Sequence, residues 1–195
     1  IDFSIMNHTL YSRNNNIAID SSVADEYKTD IVYPLNASIG CNFRCNFCIN
    51  VILGRKYKML SAEEIVERIQ YLQSEYGANY IHMVDENFFG NKQRVYRFVE
   101  LLRSNNIKIK WRPQLRADYF HENYINESFI KELEQSGMVM AVMGVESASQ
   151  RTLDRLDKRL KVESITKAVG ILSGTRIIPR LSFMAGMPGE TEDEI

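Results

Sequence analysis

Cysteine is scarce in this 195-residue chain, and its placement is unusual: the three present all fall between residues 41 and 48. A disulfide framework uses an even number of cysteines spread along the chain, so that scaffold is excluded and a reducing cytoplasm is expected. A second CxxC pair, the usual mark of a zinc knuckle, is absent. No apolar run approaches the ~20 residues of a membrane span, and the opening residues lack a secretory-signal pattern. Charge of one sign is missing too, since 24 basic and 25 acidic side chains leave a net charge of −1. That balance gives no case for nucleic acid or an acidic membrane as partner. The first predicted strand is not followed by a Gly-rich nucleotide-binding turn.

What is present reads as one sizeable domain, with 45% hydrophobic residues. Residues 1–30 show no sustained periodicity, and the polar runs Asn14–Asn16 and Ser21-Ser22 mark a linker or N-terminal extension. Residues 31–195 are regular. Tyr33–Ile39 reads as a strand. Ser61 and Glu64 form a capping box for a helix carrying Ile65, Ile69 and Leu72, which Gly77 stops. Tyr80–Val84 is a buried strand, Val95, Val99 and Leu102 mark a second helix, and Ile107, Ile109 and Trp111 alternate as a strand. Asn126 caps a helix with Phe129, Ile130 and Leu133 that ends at Gly137. Met138–Met143 is a wholly apolar strand. A short helix at Leu153 and Leu156 precedes one through Ile165, Val169 and Leu172, and Ile177–Phe183 is a fifth strand.

Alternating apolar strands and helices predict an α/β fold, a parallel sheet covered by helices and joined by right-handed crossovers. The repeat of ~30–45 residues fits a partial (β/α) barrel of parallel strands, with a doubly wound open sheet as the alternative. Ile1 instead of Met, and a capping-box spacing from Thr191 to Glu194 just before Ile195, lead us to expect a piece of a longer protein, truncated after about the fifth strand. Cys41, Asp85, Arg116, Glu146 and Glu190 each fall at or beyond the C-terminal end of a predicted strand. In a parallel barrel these ends share one rim, where loops carry the chemistry. Three thiolates on one tight loop suit three corners of an iron–sulfur cubane and leave its fourth iron without a protein ligand.

The motif Cys41-x3-Cys45-x2-Cys48, with Phe47 before its last cysteine, resembles that of the radical S-adenosylmethionine (SAM) superfamily. Gly144–Ser149 and Phe183–Thr191 resemble segments of the branch whose radical domain follows a cobalamin-binding domain, and Asp2-Phe3-Ser4 with the polar linker resembles the join between the two. The resemblance implies a [4Fe–4S] cluster on Cys41, Cys45 and Cys48, with SAM chelating the fourth iron. Reductive cleavage of SAM then gives a 5′-deoxyadenosyl radical that takes hydrogen from a substrate. It further implies that Phe47 lies near the adenine and that Glu146 accepts from the ribose hydroxyls. Asp85-Glu86-Asn87 stands where the family usually has a Gly-Gly-Glu segment for the SAM amino group. Arg116, Ser182 or Arg180 would meet the SAM carboxylate, and Gly186 and Glu190 would hold the rest of the cofactor. The expected activity is cobalamin-dependent methylation, or another modification, of a small molecule or natural product, fed by an electron donor such as flavodoxin or ferredoxin. The cobalamin itself would sit in a domain outside this chain.

Plainer readings stand beside these. The cysteines could hold a structural zinc with His82 or another group as fourth ligand, or the chain could be a tRNA-modifying methylthiotransferase-like enzyme with an RNA-binding module. Asp85 and Glu86 could be a solvated strand end, and Glu190 part of a turn. His82 reads as a packed core histidine. Met138, Met140, Met143, Met184 and Met187 read as core filler, and Arg151, Arg155 and Arg159 as a solvated face.

Overall fold

The computed structural model describes residues 30–194, so the predicted linker over residues 1–30 lies outside the described residues except for Asp30. The strands are β1 (Val32–Leu35), β2 (Ser38–Ile39), β3 (Lys58–Met59), β4 (Tyr80–Met83), β5 (Lys110–Arg112), β6 (Gln114–Leu115), β7 (Met140–Glu146) and β8 (Ile178–Phe183). The helices are α1 (Ile49–Ile52), α2 (Ala62–Tyr76), α3 (Lys92–Ser104), α4 (Glu127–Gln135), α5 (Gln150–Arg155) and α6 (Val162–Leu172). No described helix is long and apolar enough to cross a membrane.

The strands pair in parallel as β1-β4-β5 and β6-β7-β8. Pro113 separates β5 from β6. It has no N–H to give a ladder, and there the chain passes from pairing with β4 to pairing with β7. Trp111 also bridges Met138 in parallel, so the two sets of strands adjoin. The five predicted strands are present in one parallel α/β arrangement, a partial barrel whose sheet is not closed. One prediction needed correction. Tyr33–Ile39 is two strands, not one, because β2 leaves the parallel sheet and pairs antiparallel with β3. That small hairpin closes the neck of the loop carrying the cysteines.

The two sheet faces differ. Tyr33, Leu35, Ile81, Met83, Trp111, Ala141, Met143 and Val145 face the helices and join one apolar core. Ile65, Ile69 and Leu72 of α2 and Val95, Phe98 and Leu102 of α3 pack onto that face, all 5% exposed or less. Phe88, Phe98 and Trp111 meet as a tilted aromatic cluster with centroids 5.2–5.9 Å apart, and the indole N–H donates to the Ser136 carbonyl at 3.1 Å. The opposite, inner face carries Pro34, His82, Arg112, Gln114, Gly144 and Ser182, which follow from the period-2 alternation and the register.

The helix ends follow the sequence signals. Ser61 and Glu64 form the full capping box and Gly77 is left-handed at φ 67°. Asn91 and Asn126 accept from Arg94 N and Phe129 N at 2.9 Å, each such cap contributing about 1 kcal/mol.

Gly137 turns α4 into β7 at φ +92°, and a Cβ there would lie 2.0 Å from the Ile109 carbonyl oxygen. Gly137→Ala is therefore expected to lower stability by about 2–4 kcal/mol through backbone strain plus overlap, read from denaturant melts. An unchanged midpoint would contradict the close approach.

Candidate functional site

The cysteine loop is fixed at both ends by the strand edge it leaves. Gly40 has φ +81°, and a Cβ there would meet the Lys56 carbonyl oxygen at 2.9 Å, so glycine lets the two sides of the hairpin touch. Its N–H donates to Glu86 Oε2 at 3.2 Å, and Glu86 also pairs with Arg55 at 3.5 Å. Further on, Asn46 donates from its backbone to the Leu156 carbonyl at 3.0 Å and from Nδ2 to the Arg155 carbonyl at 2.6 Å. The loop is thus pinned between the end of β4 and the end of α5.

Inside it, Cys48 N–H donates to the Cys45 carbonyl at 3.0 Å. Cys45 is buried, and Cys41 and Cys48 are partly exposed. Burial pushes the Cys45 thiol up, while Lys158 and Arg116 pull it back toward the thiolate. All three cysteines line one cavity of about 280 Å³ at the C-terminal ends of the strands. Phe43, Phe47, Glu86, Asn87, Arg116, Glu146 and Lys158 also line it. The topology therefore gathers residues more than 100 positions apart in sequence around one space.

Glu146 ends β7 with φ +66°, a conformation few non-glycine residues adopt and one that recurs at functional sites. The ladder with β8 is irregular between Gly144 and Glu146. A Cβ on Gly144 would come within 2.6 Å of Glu146 Oε1, so the bare glycine leaves room for the carboxylate to fold back over its own strand. There Glu146 accepts from Lys158 Nζ at 2.9 Å, both side chains about a tenth exposed. Lys158 lies 5.8 Å from the Phe47 ring centroid. Its neighbours Asp157 and Arg159 both have positive φ and pair with each other, which turns Lys158 inward. Nothing in the local pattern marks this lysine, because its charge-dense surroundings read as solvated.

The other predicted residues are placed as follows. Arg116 reaches the cavity wall but is heavily engaged. It pairs with Asp118 through two bonds of 2.9 Å, donates to the Lys158 and Arg159 carbonyls, and stacks 3.7 Å over Phe43. Asp85 is fully buried and does not line the cavity. It accepts from Ser38 Oγ and, at 3.1 Å, from Ala37 N–H, clamping the β1–β2 junction to the end of β4. Burial raises its carboxyl above the usual range. Ser182 is exposed on β8. Glu190 closes its own turn by accepting from Gly186 N at 2.7 Å and Met187 N at 2.9 Å, while Arg155 and Arg151 hold the Gly189 carbonyl. Ser182, Gly186 and Glu190 are not among the residues lining the cavity.

Two details bear on what the cavity accepts. Asn50 Oδ1 and Asn87 Oδ1 lie in its wall, buried and without a hydrogen-bond partner. Such orphaned acceptors call for a donor. No three His, Cys, Asp or Glu groups among the described residues converge as a ligand set for one metal ion. A tetrahedral zinc would draw its sulfurs to within roughly 3.8 Å of each other, whereas a cubane takes each cysteine on a different iron.

Residues 35–195 match the radical SAM superfamily. An uncharacterized methyltransferase of Pyrococcus horikoshii is 30% identical over 175 residues, 88% of this chain and 37% of that protein. The structure of OxsB, a cobalamin-dependent S-adenosylmethionine radical enzyme with aqua-cobalamin and S-adenosylmethionine bound, superposes with a TM-score of 0.63 and 25% identity over 80% of this chain and 25% of OxsB. The radical S-adenosylmethionine methyltransferase TsrM from Kitasatospora setae shares the fold at TM-score 0.66 and 17% identity, over 84% of this chain and 32% of TsrM. The chain spans between a quarter and two fifths of the length of these proteins. By the match over most of its length, the chain belongs to the radical SAM superfamily.

Proposed function

We propose that this chain is the radical core of an enzyme that cleaves SAM reductively and methylates a small-molecule or natural-product substrate. Cobalamin would be carried by a domain outside the chain. The observation that carries the reading is the single cavity uniting the three cysteines with Phe47, Asn87, Glu146 and Lys158 at the strand ends. In it, Cys41, Cys45 and Cys48 would hold a [4Fe–4S] cluster. When bound, the cluster and SAM supply one-electron reductive cleavage of a carbon–sulfur bond, which no side chain can perform.

The chain's own groups do the holding. Asn87 and Asn50 offer their orphaned carbonyl oxygens to the SAM ammonium group. Glu146 suits the two adjacent ribose hydroxyls, since a carboxylate accepts two hydrogen bonds at once. Lys158, the cavity's least committed cation, would take the SAM carboxylate in place of the engaged Arg116. Phe47 gives the adenine an apolar surface. Asp85 works one layer further out as a positioning residue, holding the strand junction from which the cysteine loop springs. A small electron carrier such as flavodoxin or ferredoxin would reduce the cluster, and the enzyme would work in a reducing cytoplasm, where free cysteines persist. The Pyrococcus methyltransferase and TsrM support the methylation reading, and OxsB, a cobalamin-dependent radical enzyme, supports the use of cobalamin.

Anaerobic reconstitution of the full-length protein should incorporate about four irons and four sulfides, and with SAM and reductant should release 5′-deoxyadenosine, S-adenosylhomocysteine and a methylated product. Cys45→Ala is expected to lose the cluster's visible absorption. Zinc at unit stoichiometry without iron would overturn the assignment, and a sulfur-bearing product would redirect it to methylthiolation.

Removing one partner of the Glu146–Lys158 pair leaves a buried unpaired charge, at a cost of roughly 3–5 kcal/mol. The double variant Glu146→Gln with Lys158→Gln is neutral and should stay folded. Its SAM dissociation constant, measured by calorimetry on the holoprotein, should rise at least about tenfold, equal to ~1.4 kcal/mol. Unchanged SAM affinity would contradict both roles.

A further inference from the structure

The inner face of the sheet below the cofactor cavity carries a charge that no carboxylate among the described residues answers. Arg112 sits on β5, in register with His82 of β4. Gln114, two residues further along the same strand direction, already lines the cavity. At ~3.3 Å per residue, Arg112 therefore lies about 7 Å beneath the rim. It is 4% exposed. Its Nη2 donates to His82 Nδ1 at 3.0 Å and its Nη1 reaches only the Met140 sulfur at 4.0 Å. Its Nε is buried with no partner. No carboxylate among the described residues pairs with it.

Among the described residues, the charged group that acts on it is cationic. Arg180 on β8 shares the inner face and lies close enough to depress the basicity of both Arg112 and His82. The nearby Lys110 already has Asp30 as its partner, at 3.1 Å. Burial first, then Arg112 and Arg180, push His82 down to about 4, so its ring is neutral near pH 7. With Nδ1 accepting from Arg112, the ring proton sits on Nε2 as one more donor. A buried guanidinium without a counter-ion is costly, and its planar fork is shaped for the paired oxygens of a carboxylate or phosphate. Arg180 itself is exposed at the β8 side of this face.

We propose that Arg112, with His82 and Arg180 beside it, binds an anionic group of the substrate, a carboxylate or a phosphate, on the inner face of the sheet beneath the cofactor cavity. The word substrate rests on the radical SAM reading, while the anion site rests on the geometry alone. Anchored there, the substrate would extend its reacting end upward to the cavity, which makes the enzyme selective for acidic molecules.

The test is a pair of titrations on the full-length holoprotein, with sodium malonate and with inorganic phosphate, at constant ionic strength set by chloride. At least one anion should bind saturably at one per chain and raise the melting temperature. A larger response to malonate assigns a carboxylate, and a larger response to phosphate assigns a phosphate. Arg112→Met should weaken that anion at least tenfold, and in chloride it should melt no lower than the parent, because it removes an uncompensated charge. The double variant Glu146→Gln with Lys158→Gln, altered in the cofactor cavity, should keep the anion response, so failure of the SAM reading and failure of this one show up in different assays. The proposal is overturned if neither anion binds, if Arg112→Met binds the anion as tightly as the parent, or if it melts lower in chloride, which would make Arg112 a structural strut.

Discussion

Parallel, in-register pairing of the strands is the constraint on which the rest of the structure depends. Because β1, β4, β5, β6, β7 and β8 run the same way, they end at the same edge, and residues from Cys41 to Lys158 meet there. The same pairing sorts the side chains by alternation. Tyr33, Ile81, Trp111 and Met143 go to the helices and build the core, and Pro34, His82, Arg112 and Gly144 go to the inner face. The apolar half supplies the stability, which lets the inner half carry charged groups that are costly to bury.

Those charges are arranged in two tiers. At the rim, Glu146 and Lys158 neutralise each other at 2.9 Å, so the cavity can wait without a ligand at no large electrostatic cost. One tier down, Arg112 has no such partner among the described residues. The difference separates the two roles argued for them. A pair proposed to serve the zwitterionic end of a cofactor would begin balanced and trade its internal bond for two external ones. A group reserved for an anion begins unbalanced, and the ligand completes it.

The sequence showed the fold more readily than the cofactor shell. The strand–helix order, the capping box at Ser61 and the stops at Gly77 and Gly137 are local signals, and local physics decided them. The three cysteines were legible because their spacing is itself the chemistry. Acidic residues at strand ends were harder. Asp85 and Glu146 look alike in sequence, yet one turns back to clamp Ser38 and Ala37 while the other, strained to φ +66°, faces the cavity. Glu190 likewise satisfies its own turn. Lys158 was hidden by the charged residues around it, and only the left-handed backbone on either side directs it inward. The β2–β3 hairpin escaped notice because two-residue strands carry no periodicity.

The central claim is that three cysteines leave one iron of a cubane open for SAM. Mössbauer spectroscopy of the reconstituted full-length protein, recorded before and after SAM is added, tests it most directly. The account predicts that one iron in four changes its signal on SAM addition while the other three stay as they were. A spectrum in which all the irons remain equivalent and unaltered by SAM would contradict it.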